Sequence, residues 1–113
     1  MIERSLFTPE HEIFRYSVRR FVEKEITPYH AQWESDGRVP REVWRKAGEA
    51  GLLCCTVPEE YGGNGLGLLG LTVGLEELAS HGFGNALFVL TAMDMACIHR
   101  NGTEEMKQKY LPK

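Results

Sequence analysis

The sequence predicts an all-α, up-and-down domain of five to six helices. Apolar residues recur at helical spacing, and capping residues and prolines separate the runs. One short apolar segment, residues 52–58, could be buried coil or a strand, but a single strand cannot form a sheet. With 113 residues, 42% of them hydrophobic, the chain can hold one core. Residues 1–113 are therefore expected to form one domain.

Capping residues mark the helix ends in the first half of the chain. Thr8-Pro9 is an N-cap followed by the residue that helices favour at their first position. Thr27-Pro28 repeats this signal, so we expect the first helix to kink or end there and a second to run to Gly37. A third helix is expected to begin at Pro40 and to be closed by Gly51.

Three further helices are predicted in the second half, at about Leu68–Ser80, Asn85–Arg100 and Glu104–Leu111. The middle one is apolar nearly all round, so we expect it to be buried on most sides, in the bundle or against another part of the protein. Asp94 lies within it. Because a buried carboxylate is costly, we expect a structural partner such as an arginine, with a pocket role as the alternative.

Composition and charge exclude several classes of function. The formal net charge of −3 gives no basic field that would attract nucleic acid. No leader-like segment and no apolar run of about 20 residues is present, which predicts a cytoplasmic protein without a membrane span. Three cysteines indicate a reducing compartment. The four histidines show no metal-ligand spacing, so no metal site is expected.

Residues 65–70 match the G-x-G-x-x-G pattern of dinucleotide-binding turns. That fingerprint needs a βαβ unit and an acidic residue about 20 positions later, whereas an apolar helix follows here. Turning and close packing therefore explain the glycines better, and a Rossmann-like nucleotide binder is a minor alternative. Gly70 and Gly74 share one helix face. Since each costs ~1 kcal/mol relative to alanine, we expect another helix or a ligand to approach closely there.

Acid–base and thiol chemistry have no strong candidate in the sequence. Glu76 and Glu77 are adjacent, so on a helix they point in different directions, and solvation or interhelix ion pairs explain them better than a facing catalytic pair. Cys54 and Cys55 are interpreted as small apolar filler rather than a redox centre. No catalytic residue is assigned in this chain.

Several separate blocks of sequence resemble the N-terminal helical domain of acyl-CoA dehydrogenases. The most specific are V-P-E-E-Y-G-G-x-G at residues 57–65 and G-T-E-E-x-K-x-K-Y-L at residues 102–111. Trp33 and P-R-E-V-W at residues 40–44 also fall in the family's places. The blocks occur in the family's order and cover essentially the whole chain. Residues 10–34 are most similar to the long-chain branch.

The resemblance implies an activity for a longer protein. Members of the family are FAD flavoproteins, usually homotetramers, that oxidise an acyl-CoA to its trans-2-enoyl form and pass electrons to an electron-transferring flavoprotein. A middle β-domain and a C-terminal helical bundle complete the family architecture. The catalytic glutamate belongs to the bundle, and most FAD contacts come from outside the first domain. The resemblance therefore implies that this chain is inactive alone and does not hold FAD by itself.

The family's first domain contributes a wall of the acyl pocket. By position, the resemblance assigns this role to Asn85, Ala86, Val89, Leu90 and Met93. These residues are spaced so as to share one side of a helix. Apolar side chains suit the task because each CH₂ moved out of water is worth about 0.8 kcal/mol. Plain packing against other helices is the alternative for each residue.

Two main hypotheses of function follow from the sequence. The first is the N-terminal domain of an FAD-dependent acyl-CoA dehydrogenase, with acyl-CoA as substrate and an electron-transferring flavoprotein as partner. The alternative is a free-standing helical binding or adaptor module that kept the dehydrogenase scaffold.

Overall fold

The computed structural model describes residues 3–84 and 86–111, the side chains of residues 86 and 87 excepted, and across these ranges the chain forms six α-helices and no strand. The helices are α1 (Pro9–Phe21), α2 (His30–Asp36), α3 (Arg41–Glu49), α4 (Gly67–Ser80), α5 (Ala86–Asn101) and α6 (Glu104–Tyr110). The all-α prediction is confirmed. Residues 52–58 form turns and irregular structure rather than a strand.

The first helix ends where Thr27-Pro28 predicts. A π-helical turn, Val22–Ile26, continues α1, and the Thr27 N–H donates to the carbonyl of Val22 at 2.8 Å, five residues back. Pro28 has no N–H to extend the ladder, so the chain turns and restarts as α2. Gly37 then closes α2 in the left-handed conformation, with φ +73°.

Gly51 closes α3 in the way that its position predicts. Its φ is +79°, and its N–H donates to the carbonyl of Gly48 at 3.0 Å. The N–H of Leu52 donates to the carbonyl of Ala47, also at 3.0 Å. This pair of bonds is the Schellman motif. It directs the Leu52 side chain into the core, where it is buried.

The core is centred on the packing of α1 against α4. Phe14 and Val18 of α1 and Val73 of α4 belong to one buried cluster. A methyl group on Gly74 would lie 3.1 Å from Cδ2 of Leu52 and 3.9 Å from Cε1 of Phe14. The close approach expected over the glycine face of α4 is therefore confirmed at Gly74, where protein side chains fill the space.

Two carboxylates of α4 fix α1 and the N-terminal segment in place. Arg19 donates to the two oxygens of Glu77 at 2.9 and 3.1 Å, and Arg4 donates to those of Glu76 at 2.7 and 2.8 Å. Arg15 donates to Glu76 at 3.0 Å and lies 3.6 Å from Glu77. Hydrogen bonds from Arg4 lower the pKa of Glu76 to about 2, and those from Arg19 lower the pKa of Glu77. The expected interhelix ion pairs are confirmed.

The helices form a slab of 40 × 39 × 18 Å. An α-helix with its side chains is about 10–12 Å across, so the short dimension holds two layers of helices. On α5, Phe88 and Ala92 are buried, whereas Leu90 is 49% and Met93 is 61% exposed. Burial of α5 on most sides by the bundle itself is therefore not observed, and burial against another part of the protein stays a prediction.

Asp94 is exposed rather than buried. Its side chain lies on the exposed surface of α5, so the burial expected from its apolar neighbours is wrong. Water solvates the carboxylate there, and no arginine partner is needed. In the described part of the chain, no helix combines the length and hydropathy that a membrane span requires.

We predict that Glu77→Gln lowers the free energy of unfolding by about 1–2 kcal/mol. The amide keeps the shape of the side chain but removes the charge that Arg15 and Arg19 face. The expected loss is smaller than for a fully buried pair because the Arg19 side chain is 47% exposed. Urea unfolding at neutral pH measures it. The matched control is Glu49→Gln, which breaks an exposed pair with Arg45 and should change stability by less than about 0.5 kcal/mol.

Acid titration of the same variants tests the origin of the effect. A carboxyl with a lowered pKa in the folded state stabilises the fold above its ordinary value of 4.5, and this contribution is lost as the pH falls below it. The stability difference between the unmodified chain and Glu77→Gln should therefore be complete at pH 6 and shrink below pH 4.5. A difference that does not shrink would contradict an ionic origin.

Alanine substitutions at two helical glycines test the close packing of α4. Gly48→Ala should stabilise the chain by about 0.5–1 kcal/mol, since the new methyl group would meet Cδ1 of Leu53 at an ordinary 3.7 Å. Gly74→Ala should stabilise it by less, or destabilise it, because Leu52 must move to admit the methyl group. Thermal unfolding compares the two. Equal stabilisation would show that the space over Gly74 is not tight.

Candidate functional site

A groove of about 750 Å³ lies between α4 and α5. Leu71 and Leu75, one turn apart on α4, form one wall, and Val89 and Met93, one turn apart on α5, form the other. Ala96 lines the same wall, and its small side chain leaves space between the helices. Sites for small molecules have volumes of about 300–1,000 Å³ and mostly apolar walls. The groove meets both conditions. Its other lining residues are Thr56, Gly67, Leu68, Thr72, Ala92, His99 and Arg100.

One end of the groove is polar. Thr56 lies in the loop before α4, and His99 and Arg100 lie in the last turn of α5. The loop and α5 meet because Met95 and Ile98 of α5 pack against a small core cluster formed by Val57, Tyr61 and Leu111. Oγ1 of Thr56 and Nδ1 of His99 are buried without a hydrogen-bond partner. Buried polar atoms nearly always have a hydrogen-bond partner, so these two atoms are candidates to bind a polar group of a ligand.

The structure brings two of the five predicted pocket residues into this groove. Val89 and Met93 line it. Leu90 is exposed on a neighbouring face of α5 and does not contribute to the lining. Asn85 lies outside the described residues, and Ala86 begins α5 but its side chain lies outside them too. The acyl-pocket role of all five residues stays a prediction.

Thr56 and His99 are the groove residues that sequence reasoning missed. His99 follows Val89, Ala92 and Ala96 at helical spacing, so the helix face that carries Val89 could have been extended to His99. Thr56 lies in an irregular loop. No period predicts which way such a side chain points, and only the tertiary structure places it beside α5.

The glycine-rich segment before α4 does not form a dinucleotide site. Gly65 and Gly67 have φ of +66° and +68°, and they turn the chain into α4. No strand precedes or follows this turn within residues 3–84 and 86–111, so the βαβ unit that the fingerprint needs is missing. A methyl group on Gly70 would collide with Cβ of Leu66. The packing interpretation of these glycines is supported.

The thiols of Cys54 and Cys55 are not activated for nucleophilic or redox chemistry. Burial raises the pKa of Cys55 to about 11 and also raises the pKa of Cys54. A thiol with a raised pKa carries little of the reactive thiolate at neutral pH. The thiol of Cys54 donates a weak hydrogen bond to Sδ of Met95 at 3.8 Å. Both cysteines therefore serve as packing residues, and the described residues contain no group of side chains that could hold a metal ion.

A second cavity, of about 450 Å³, opens beside α2 and α3. Its walls include Trp33, Trp44, Phe83 and His30. Phe83 meets His30 and Trp33 edge to face, with ring centroids 5.1 and 6.4 Å apart. These rings pack against one another as the rings of an aromatic core do. The α4–α5 groove, with its unpartnered polar atoms, is the stronger candidate site.

Curated relatives of known name match nearly the whole chain. The long-chain specific acyl-CoA dehydrogenase of Mus musculus mitochondria is 43% identical over 96% of this chain and 26% of that protein. The mitochondrial isovaleryl-CoA dehydrogenase of Solanum tuberosum is 40% identical over 96% of this chain and 27% of that protein. The short-chain specific acyl-CoA dehydrogenase of Clostridium acetobutylicum is 38% identical over 92% and 28%. The chain thus spans about a quarter of the length of these relatives.

Solved structures share the fold. An acyl-CoA dehydrogenase from Geobacillus kaustophilus superposes with a TM-score of 0.86 at 38% identity, covering 98% of this chain and 30% of that one. A chain of a structure described as the electron transferring flavoprotein of Acidaminococcus fermentans superposes with a TM-score of 0.83 at 29% identity, covering 97% and 30%. The family model of the acyl-CoA dehydrogenase N-terminal domain matches residues 8–113. This chain therefore belongs to the family of acyl-CoA dehydrogenase N-terminal domains.

Proposed function

We propose that this chain is the N-terminal helical domain of an FAD-dependent acyl-CoA dehydrogenase that oxidises acyl-CoA to trans-2-enoyl-CoA. In this proposal, the α4–α5 groove forms part of the wall of the acyl pocket, and the chain has no activity alone. The observation that carries the proposal is an open, apolar groove in a domain whose named relatives act on acyl-CoA thioesters.

Burial of apolar surface in the groove can stabilise a bound alkyl chain. Val89 is 40% and Met93 is 61% exposed, so both have apolar surface to bury. Each CH₂ group that leaves water contributes about 0.8 kcal/mol, and the contribution is non-directional. An apolar wall of this kind therefore binds an acyl chain through its length and shape. It also excludes water from the part of the substrate that it covers.

The lining of the groove accounts for the expected inactivity. It contains no aspartate or glutamate, so this wall supplies no carboxylate base for proton abstraction. The glycine turn at residues 65–70 has no strand beside it within the described residues, so it is not a Rossmann dinucleotide site. Following the family resemblance, we assign FAD binding and the catalytic base to other parts of the longer protein.

The substrate class of the proposed enzyme is acyl-CoA. The relatives carry long-chain, short-chain and isovaleryl names, so acyl-CoA is the common denominator. An electron-transferring flavoprotein as acceptor and a homotetrameric assembly belong to the same proposal and rest on the family resemblance. The cytoplasmic location stays a prediction from the sequence, beside relatives with mitochondrial names.

Activity assays of the 113-residue chain test its catalytic silence. We expect no reduction of an artificial electron acceptor when the chain is mixed with FAD and octanoyl-CoA or palmitoyl-CoA, because the proposal assigns the base and the flavin site to other parts of the longer protein. We also expect no flavin absorbance after gel filtration. The acyl-CoA dehydrogenase of Geobacillus kaustophilus serves as the positive control. Turnover by the chain would refute the domain role and favour a self-contained enzyme.

A pair of neighbouring substitutions tests the groove itself. Ala96→Phe places a ring between α4 and α5, whereas Cys97→Phe places the same ring on the exposed face of α5. Isothermal titration with 1-decanol should show about a tenfold loss of affinity for Ala96→Phe, since a ring displaces roughly two CH₂ groups from the groove. Cys97→Phe should bind 1-decanol as the unmodified chain does. Equal effects of the two substitutions would locate alkyl binding elsewhere.

A further inference from the structure

The polar end of the α4–α5 groove carries hydrogen-bond donors and no acidic group. Thr56 contributes a hydroxyl, His99 an imidazole and Arg100 a guanidinium, and no lining residue is an aspartate or glutamate. Within the described residues, Arg100 forms no ion pair. The hydroxyl of Thr72, by contrast, already donates to the carbonyl of Leu68 at 2.9 Å. The unused donors therefore gather at one end of an otherwise apolar groove.

We propose that this end binds the carboxylate of an alkyl chain that lies along the apolar part of the groove. A carboxylate only accepts hydrogen bonds, so the hydroxyl of Thr56, a ring N–H of His99 and the guanidinium of Arg100 are each suitable donors to it. Oγ1 of Thr56 and Nδ1 of His99 are the two buried side-chain atoms without a hydrogen-bond partner in the described residues, and both belong to this end of the groove. Leu71, Leu75, Val89 and Met93 then cover the alkyl portion.

Both unpartnered atoms are buried below the surface of the groove. A carboxylate therefore reaches them through rotation of the Thr56 or His99 side chain, with Arg100 at the exposed surface as the first contact. The ring of His99 lies 5.9 Å from the ring of Tyr61.

Two sources supply this ligand chemistry. One is a free fatty acid, and the other is the distal carboxylate of a dicarboxylic acid bound as its monothioester. The inference rests on the proposed function only in requiring that the groove takes an alkyl chain. An uncharged alcohol of equal length tests that requirement by itself.

Isothermal titration of the 113-residue chain with decanoate and with 1-decanol tests the inference. We expect decanoate to bind at least about tenfold more tightly, since hydrogen bonds to a charged group are the stronger class. Thr56→Val and Arg100→Gln should each weaken the binding of decanoate several-fold more than the binding of 1-decanol. Arg41→Gln, which removes an exposed arginine remote from the groove, should leave both affinities unchanged.

The outcomes separate this inference from the proposed function. If 1-decanol binds but decanoate shows no preference, or if Thr56→Val and Arg100→Gln weaken both ligands equally, the carboxylate site is refuted and the acyl groove stands. If neither ligand binds, both are refuted. Tighter binding of decanedioyl-CoA than of decanoyl-CoA identifies the thioester as the source, and a preference confined to decanoate identifies the free acid.

Discussion

The packing of α1 against α4 is the constraint on which the rest of the structure depends. Gly74 lets Phe14 and Leu52 approach the backbone of α4 closely, and the nearly buried carboxylate of Glu77 is held by arginines of α1. One face of α4 is therefore committed to the core. The adjoining face, with Leu71 and Leu75, packs partly against the same core and also lines the groove with α5. The packing that fixes α4 in the core therefore also fixes this wall of the groove.

The thinness of the domain gives this groove its character. A slab two helices deep cannot enclose a helix as apolar as α5, so Val89, Leu90 and Met93 keep exposed surface. Contiguous exposed apolar surface is uncommon in proteins that act alone and marks sites of binding. The acyl pocket proposed above would give such surface a chemical role, because the alkyl chain of a fatty thioester needs an apolar wall.

The candidate site shows how far helical periodicity reaches. The family resemblance assigned Val89 and Met93 to a pocket wall, and their spacing agrees with a shared wall, because residues four apart on a helix lie one above the other. The resemblance assigned Leu90 to the same wall, although a step of one residue turns the side chain about 100° away. The expectation that Asp94 is buried was wrong for a related reason. Residues that are apolar neighbours in sequence need not surround a side chain in the folded helix. Thr56 had no periodic signal at all.

The sequence by itself determined the helices and their ends, because caps, prolines and left-handed glycines act through local backbone chemistry that needs no distant partner. Thr27-Pro28, Gly37 and Gly51 are examples. It also carried the family resemblance, which resides in the order of residues. Only the tertiary structure decided which faces are covered. It paired Glu77 with Arg19 across 58 positions and brought the loop at Thr56 beside the end of α5. Such contacts depend on how separate helices pack, and packing is set by the shapes of all the surfaces together.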